Sequence, residues 1–160
     1  MRHFFYHTQK GFATVEILIA STIISVTLIA LVLATGRAVD LSIESVQRVQ
    51  ASFLLEESAE SVKLIRDNAW TGISTATIGT TYYLNFTGGT WTITTTNPGA
   101  IDGYTRTIVF SNVYRDGNDD IAVSGTLDAG TKLVTSTVSW NGVSGPKTES
   151  MQFYVANIFE

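Results

Sequence analysis

The chain has 160 residues, a length suited to one modest domain or to a domain with an appendage. Ten basic against fourteen acidic side chains leave a formal net charge of −4, which excludes a strongly basic nucleic-acid binder as a reading of the whole chain. Cysteine is absent, removing disulfides, thiolate metal sites and thiol nucleophiles; the two histidines, His3 and His7, both lie in the first seven residues, removing most imidazole chemistry elsewhere.

In chain order, Met1–Gly11 is short and polar, with Arg2 and Lys10 and no acid. Residues 12–34 then carry one charge, Glu16, among Val15, Ile17, Leu18, Ile19, Ile23, Ile24, Val26, Leu28, Ile29, Leu31, Val32 and Leu33. A helix of that length spans roughly 35 Å, enough for a ~30 Å hydrocarbon layer. The positive-inside rule keeps the N-terminus cytoplasmic and exports the chain beyond Ala34. An ordinary secretory signal has a shorter apolar core and a small-residue cleavage site behind it, whereas Gly36-Arg37 leads into further helix-forming sequence.

A carboxylate within a membrane helix costs on the order of 2.5–3.5 kcal/mol on insertion scales, so Glu16 is a functional candidate. The plain alternative is a residue reaching into the headgroups. Around it stands Lys10-Gly11-Phe12-Ala13-Thr14-Val15-Glu16: a base, a glycine, an aromatic, then an acid four residues on.

That order at the head of an apolar run resembles the prepilin signature of type IV pilins and type II secretion pseudopilins. Phe53-Leu54-Leu55-Glu56-Glu57-Ser58-Ala59-Glu60, with Lys63 and Ile65-Arg66-Asp67, is similar to the helix end of minor pilins. Thr105-Arg106-Thr107-Ile108, Arg115-Asp116, Thr131-Lys132-Leu133-Val134 and Val138-Ser139-Trp140 fit the β-domain pattern of the same subgroup. The resemblance implies a membrane peptidase that cuts between Gly11 and Phe12, leaving residues 1–11 as leader, and methylates the new amine of Phe12. It implies that Glu16 of one subunit pairs with that amine on a neighbour. The partners it implies are prepilin peptidase, other pilin or pseudopilin subunits in a helical filament, an inner-membrane assembly platform and membrane lipid. The location it implies is the bacterial inner membrane, then a pilus or pseudopilus at the cell surface. Losing Arg2 and Lys10 with the leader leaves 8 bases and 14 acids, a mature charge near −6. No nucleic-acid partner is expected, although Arg106 and Arg115 leave a local basic patch open.

The helix is expected to run on to Ala69, roughly 85 Å for about 58 residues, with residues 35–69 amphipathic. No proline interrupts it, and Gly36 is its one glycine between Phe12 and Ala69. Val39, Ile43, Val46, Val49 and Phe53, then Leu55, Ala59, Val62, Ile65 and Ala69, recur at helical spacing. Asp40, Glu44, Arg48, Glu56, Glu60, Lys63 and Asp67 are expected on the opposite, solvated face, with Glu60–Lys63 and Lys63–Asp67 as surface pairs.

Residues 70–160 change period and become rich in threonine, as an exported β domain of four to six antiparallel strands. Tyr82–Phe86 and Trp91–Thr96 flank Thr87-Gly88-Gly89-Thr90, a hairpin signal. Asn97-Pro98-Gly99 is a turn, Tyr104–Tyr114 a long strand, and Lys132–Trp140 another that turns at Asn141-Gly142 and returns over Pro146–Val155. The fold class is therefore α+β, a long N-terminal helix packed on an antiparallel sheet, and the resemblance makes it type IV pilin-like. Asp116, Asn118 and Asp120 alternate like the opening of a calcium loop, but the sixth-position glycine and distal glutamate are missing; a polar turn is the simpler reading. No other metal site and no cofactor is expected.

Trp70, Trp91 and Trp140, with Tyr82, Tyr83, Tyr104, Tyr114 and Tyr154, read as core rather than as a sugar- or base-stacking patch. No catalytic constellation is found: no base motif accompanies the serines and threonines, and Glu56/Glu57 and Asp119/Asp120 are neighbours that diverge on a helix or strand. The chain is expected to be no enzyme but a filament subunit, most like a minor one. The alternative is a single-span surface protein whose β domain binds an extracellular ligand.

Overall fold

The computed structural model describes residues 10–159, with side chains from Phe12 onward. The residues 1–9 of the expected leader lie outside the described residues. The element order is α1 (Lys10–Asn68), α2 (Thr71–Ser74), β1 (Thr81–Thr87), β2 (Thr90–Thr94), β3 (Thr105–Arg115), β4 (Ile121–Ala122), β5 (Thr126–Gly142) and β6 (Gly145–Ala156). The chain divides into two compact units, one up to Ile43 and one from Glu44.

The first unit is helical throughout its described part. Its large apolar side chains from Phe12 to Leu33 are between 53% and 80% exposed. The segment is long and apolar enough to cross a membrane. Its hydroxyls are satisfied internally: Ser21 donates to the Leu18 carbonyl, Ser25 to Ser21, and Thr22 and Thr27 each to carbonyls three and four residues back, at 2.8–3.0 Å. A hydroxyl bonded in this way can sit in hydrocarbon without a dangling donor.

In the second unit six strands form one antiparallel sheet, ordered β2-β1-β3-β5-β6, with β4 on β3. This is the expected α+β arrangement. The β1–β2 turn is Gly88-Gly89, both with positive φ (62° and 82°), which suits the right-handed twist of the flanking strands. The β5–β6 turn differs from expectation. Asn141 pairs with Pro146 inside the ladder, Gly142 pairs with Gly145, and the chain reverses at Val143-Ser144. The Asn-Gly signal therefore marks the last rungs rather than the bend. Strand β5 also starts earlier than expected, because Asn112 pairs with Lys132 but Val113 with Asp128, so Ala129–Thr131 bulge out of the β3 ladder.

One face of the sheet meets the helix. Val62, Ile65, Ile73, Leu84, Ile108, Phe110, Val134 and Val155 form one buried cluster; Ala51, Leu55, Tyr104, Val138 and Trp140 form a second. Ser58 and Ser61 lie on the same helix face, fully buried or nearly so, and their hydroxyls donate to the carbonyls of Leu54 and Glu57 at 2.7 Å. Small, self-satisfied side chains let the helix approach the sheet closely. Just past the helix end, Gly72 allows a similar approach: a Cβ there would stand 2.9 Å from Ile65 Cγ2.

The helix is rotated relative to the expected stripe. Leu55, Val62 and Ile65 face the sheet as expected, but Val46 (56%), Val49 (51%) and Phe53 (64%) are exposed. Glu44, expected on the solvated side, instead turns toward β6, where Lys147 Nζ is 3.4 Å from its Oε1. Ala51 and the two serines supply the sheet-facing positions that the apolar count overlooks. Of the expected surface pairs, Lys63–Glu60 is present at 2.8 Å, whereas Asp67 pairs with Arg66.

Removing a buried side chain and removing an exposed one should therefore differ sharply. Ile108→Ala is expected to lower stability by about 2–5 kcal/mol. Phe53→Ala should leave it within about 0.5 kcal/mol. Denaturant unfolding of the full chain in detergent, followed by tryptophan fluorescence, measures both.

Candidate processing and assembly site

Phe12 and Glu16 lie one turn apart on the same side of α1, as i,i+4 residues must. Lys10 and Gly11 belong to the same helix by backbone. Phe12 is 80% exposed and Glu16 is exposed. The Glu16 carboxylate meets no partner among the described residues. It is thus unlike the hydroxyls of the span, which close their own hydrogen bonds. An unpaired carboxylate in an apolar surround favours any arrangement that brings it a cation or donors.

The second unit contains three polar arrangements that sequence patterning does not place. At the start of its helix, Glu44 pairs with Lys147 at 3.4 Å and Arg48 with Glu149 at 3.3 Å. The hydrogen bond from Ser144, then Lys147, holds the Glu44 carboxyl below its usual range. Tyr104 donates to Gln50 Oε1 at 2.8 Å, and its burial raises its phenol above the usual value. Further along, Arg106 is buried, with Nη1 at 2.8 Å from Glu57 Oε2, and its guanidinium lies 5.5 Å from the Trp91 ring centre. Opposite charges at 44/48 on the helix and 147/149 on a strand are the available signal, but without the pairing register they read only as a solvated face.

Arg106 and Arg115 do not form a free basic patch. The first is committed to Glu57 and the second to Asp128 at 2.7 Å and Asp119 at 3.6 Å. The same commitment occupies the loop considered for calcium. Asp116 Oδ1 accepts the backbone N–H groups of Asn118 and Asp120, and Arg115 Nη1 donates to the Asp119 carbonyl at 2.7 Å. Gly125 (φ 148°) packs against this loop so closely that a Cβ would collide with the Arg115 carbonyl oxygen. The described residues hold no group of three or more side chains able to share a metal ion. A guanidinium already serves as the local cation.

The three tryptophans lie on the helix-facing side of the second unit. Trp140 is 7% exposed and 5.6 Å from the Tyr104 ring, and Trp70 and Trp91 pack on the first cluster. This agrees with the core reading for the tryptophans, Tyr82 and Tyr104, whereas Tyr154, expected in the core, is 52% exposed because its row lies on the sheet face away from the helix. A cleft of about 380 Å³ at the helix end is lined by Ile65, Asn68, Gly72, Thr75, Tyr82 and Trp91, among others, with no carboxylate, amine or imidazole in its wall.

No family model, curated protein or solved structure matches the chain.

The loop carries a pH prediction. Hydrogen bonds from Arg115, first, and from Thr131 hold the Asp128 carboxyl below its ordinary value near 3.8. A depressed carboxyl contributes stability above its unfolded pKa and loses it as pH falls through the folded one. Asp128→Asn should therefore melt below the parent at pH 7, and the gap should narrow as pH falls below the ordinary carboxyl value and through the depressed one. Thermal melts of both proteins from pH 7 to pH 2 measure the difference. Millimolar calcium or a chelator should leave the parent melting temperature unchanged.

Proposed function

We propose that the chain is a structural subunit, most like a minor one, of a type IV pilus or type II secretion pseudopilus. The reading rests chiefly on one observation. Glu16 is the single charge of an otherwise apolar, exposed helical span, and it sits one turn after Phe12. Cutting between Gly11 and Phe12 creates an ammonium at the same end of the helix. Glu16 of one subunit then pairs with the amine of a neighbour, a contact that relieves the cost of a lone carboxylate in a low dielectric. Charge thereby selects the register between subunits in an apolar bundle. The work of the protein is packing and surface display.

The exposed apolar side chains of the second unit support the same reading. Val46, Val49 and Phe53 offer a further surface for neighbouring subunits. On this proposal the chain is held in the bacterial inner membrane with its N-terminus cytoplasmic, meets prepilin peptidase and an assembly platform there, and passes from lipid into the filament. Methylation of Phe12 keeps the amine cationic, and the pairing with Glu16 needs that charge.

Co-expression with a prepilin peptidase tests the processing. Intact-mass measurement should show a chain that begins at methylated Phe12; a product that keeps Met1 in a cell making functional filaments overturns the reading. Glu16→Ala should insert and be cut normally yet enter filaments at least about tenfold less, since a charge pair lost from a low-dielectric site exceeds about 1.4 kcal/mol. Immunoblots of sheared filaments against membrane fractions measure the ratio.

A further inference from the structure

The charges of the sheet are distributed in an unusual way. Residues alternate between the two faces along each strand, and the helix-facing set is fixed by burial: Arg106, Ile108 and Phe110 on β3, Val134, Ser136 and Val138 on β5. The long strands place Arg106, Lys132, Lys147 and Glu149 in that same inward set, through the pairs Asn112–Lys132, Trp140–Lys147 and Val138–Glu149. The opposite face carries no charged side chain on its three central rows. Thr105 pairs with Ser139 and Ser139 with Thr148; Thr107 with Thr137 and Thr137 with Ser150; Val109 with Thr135 and Thr135 with Gln152.

A solvent-facing sheet ordinarily carries mixed charges, which keep it soluble and discourage association. Here Arg106, Lys132, Lys147 and Glu149 are turned inward, the ion-paired Arg115 and Asp128 fall at one end of the open face, and its central rows are a grid of hydroxyls. Strands lie about 4.8 Å apart and same-face residues about 6.8 Å apart along each strand, so the hydroxyls repeat in two directions. One of them is used internally, where Gln152 donates to Thr135 Oγ1 at 3.1 Å. Those of Thr107, Thr137 and Ser150 have no hydrogen-bond partner among the described residues. The described cavities that touch this face lie toward its ends, one beside Val113, Leu133 and Tyr154, the other beside Thr105, Ser139 and Thr148.

We propose that this hydroxyl face binds a neutral polysaccharide in extended form. Central rows without charge, ending at an arginine and an aspartate already committed to each other, give an ionic partner no complement, and desolvating them against an acidic or basic polymer leaves that polymer's charges unpaired. A neutral glycan offers both donors and acceptors, as each threonine or serine hydroxyl does. A repeating polymer meets a repeating grid, so many weak contacts act together. Tyr154, half exposed at 52% beyond the last of these rows, adds a ring on which a sugar can stack. The proposal concerns the second unit and does not depend on how the chain is anchored.

The test uses the full-length protein in detergent micelles, with microcrystalline cellulose and chitin as neutral probes and alginate gel as the acidic one. Expected is retention on a neutral polymer that survives about 1 M salt, where charge contacts are screened within a few ångströms, with none on alginate. Thr137→Lys and Ser150→Glu, made separately, should each weaken retention about tenfold, the equivalent of one or two lost hydrogen bonds with added desolvation. Lys63→Glu, on the exposed side of the helix, should change nothing; circular dichroism melts verify that all variants fold. Absence of retention on both neutral polymers, retention abolished by salt, or undiminished retention by Thr137→Lys and Ser150→Glu overturns the proposal. None of these failures touches the filament reading, whose tests concern Phe12 and Glu16.

Discussion

Apolar surface that the chain cannot cover by itself constrains everything else in this molecule. From Phe12 to Leu33 every large apolar side chain is more than half exposed. Burying a side chain of this kind contributes roughly 1.5–3 kcal/mol. Summed over such a segment, the penalty for leaving it in water exceeds the roughly 5–15 kcal/mol by which a typical domain is stable. The segment therefore needs a non-aqueous surround. Lipid meets that need for the hydrocarbon side chains and for the hydroxyls that close their own bonds, but not for Glu16. Neighbouring helices that bring a cation meet both needs. On the proposed function, lipid holds the subunit and the filament completes it, and the same carboxylate distinguishes the two states.

The second unit resolves a related conflict in its own way. Its helix presents alanine, serine and charged side chains to the sheet in positions where bulkier apolar residues are expected. Ser58 and Ser61 permit a close approach, and Arg106 enters the gap between helix and sheet because Glu57 and the Trp91 ring receive it. Glu44 and Arg48 cross to Lys147 and Glu149. Specific pairs accompany the packing of Ala51, Leu55, Val62 and Ile65 in this orientation of the helix. Turning it this way places Val46, Val49 and Phe53 outward.

How much of this is legible in the sequence depends on the range of the interaction that decides each feature. The α+β class, the long helix and the Gly88-Gly89 hairpin follow from local periodicity and turn chemistry, and the structure has all three. The strand limits of β3 and β6 fall within a residue or two of expectation for the same reason. Helix rotation is not legible, because counting apolar residues cannot recognise Ala51, Ser58 and Ser61 as a packing face; only their partners across the gap do. The early start of β5 escapes the pattern because Asp128 and Gly130 look like loop residues. The Asp128 carboxylate accepts the Gly130 N–H and the Arg115 Nε–H, and that contact keeps the bulge inside the strand. Of the candidate site, the spacing of Phe12 and Glu16 is visible at once, being local. The ion-paired seam around Glu44 is hidden, since it needs the register of β6.

Inward charge and outward apolar surface on one helix belong to the same problem. Phe53 is turned to solvent while Glu44 pairs with Lys147 of the sheet and Arg106, on β3, reaches Glu57 of the helix. The observed rotation is favourable when something else covers the outward side. The rival reading, a single-span surface protein with a ligand-binding β domain, leaves Val46, Val49 and Phe53 in water and Glu16 unpaired in lipid, two separate costs with two separate explanations. On the proposed function, neighbouring subunits offer a cation to Glu16 in the first unit and apolar cover to Val46, Val49 and Phe53 in the second. That economy is the physical argument for the proposed filament, and it depends on the ammonium that a cut between Gly11 and Phe12 would create.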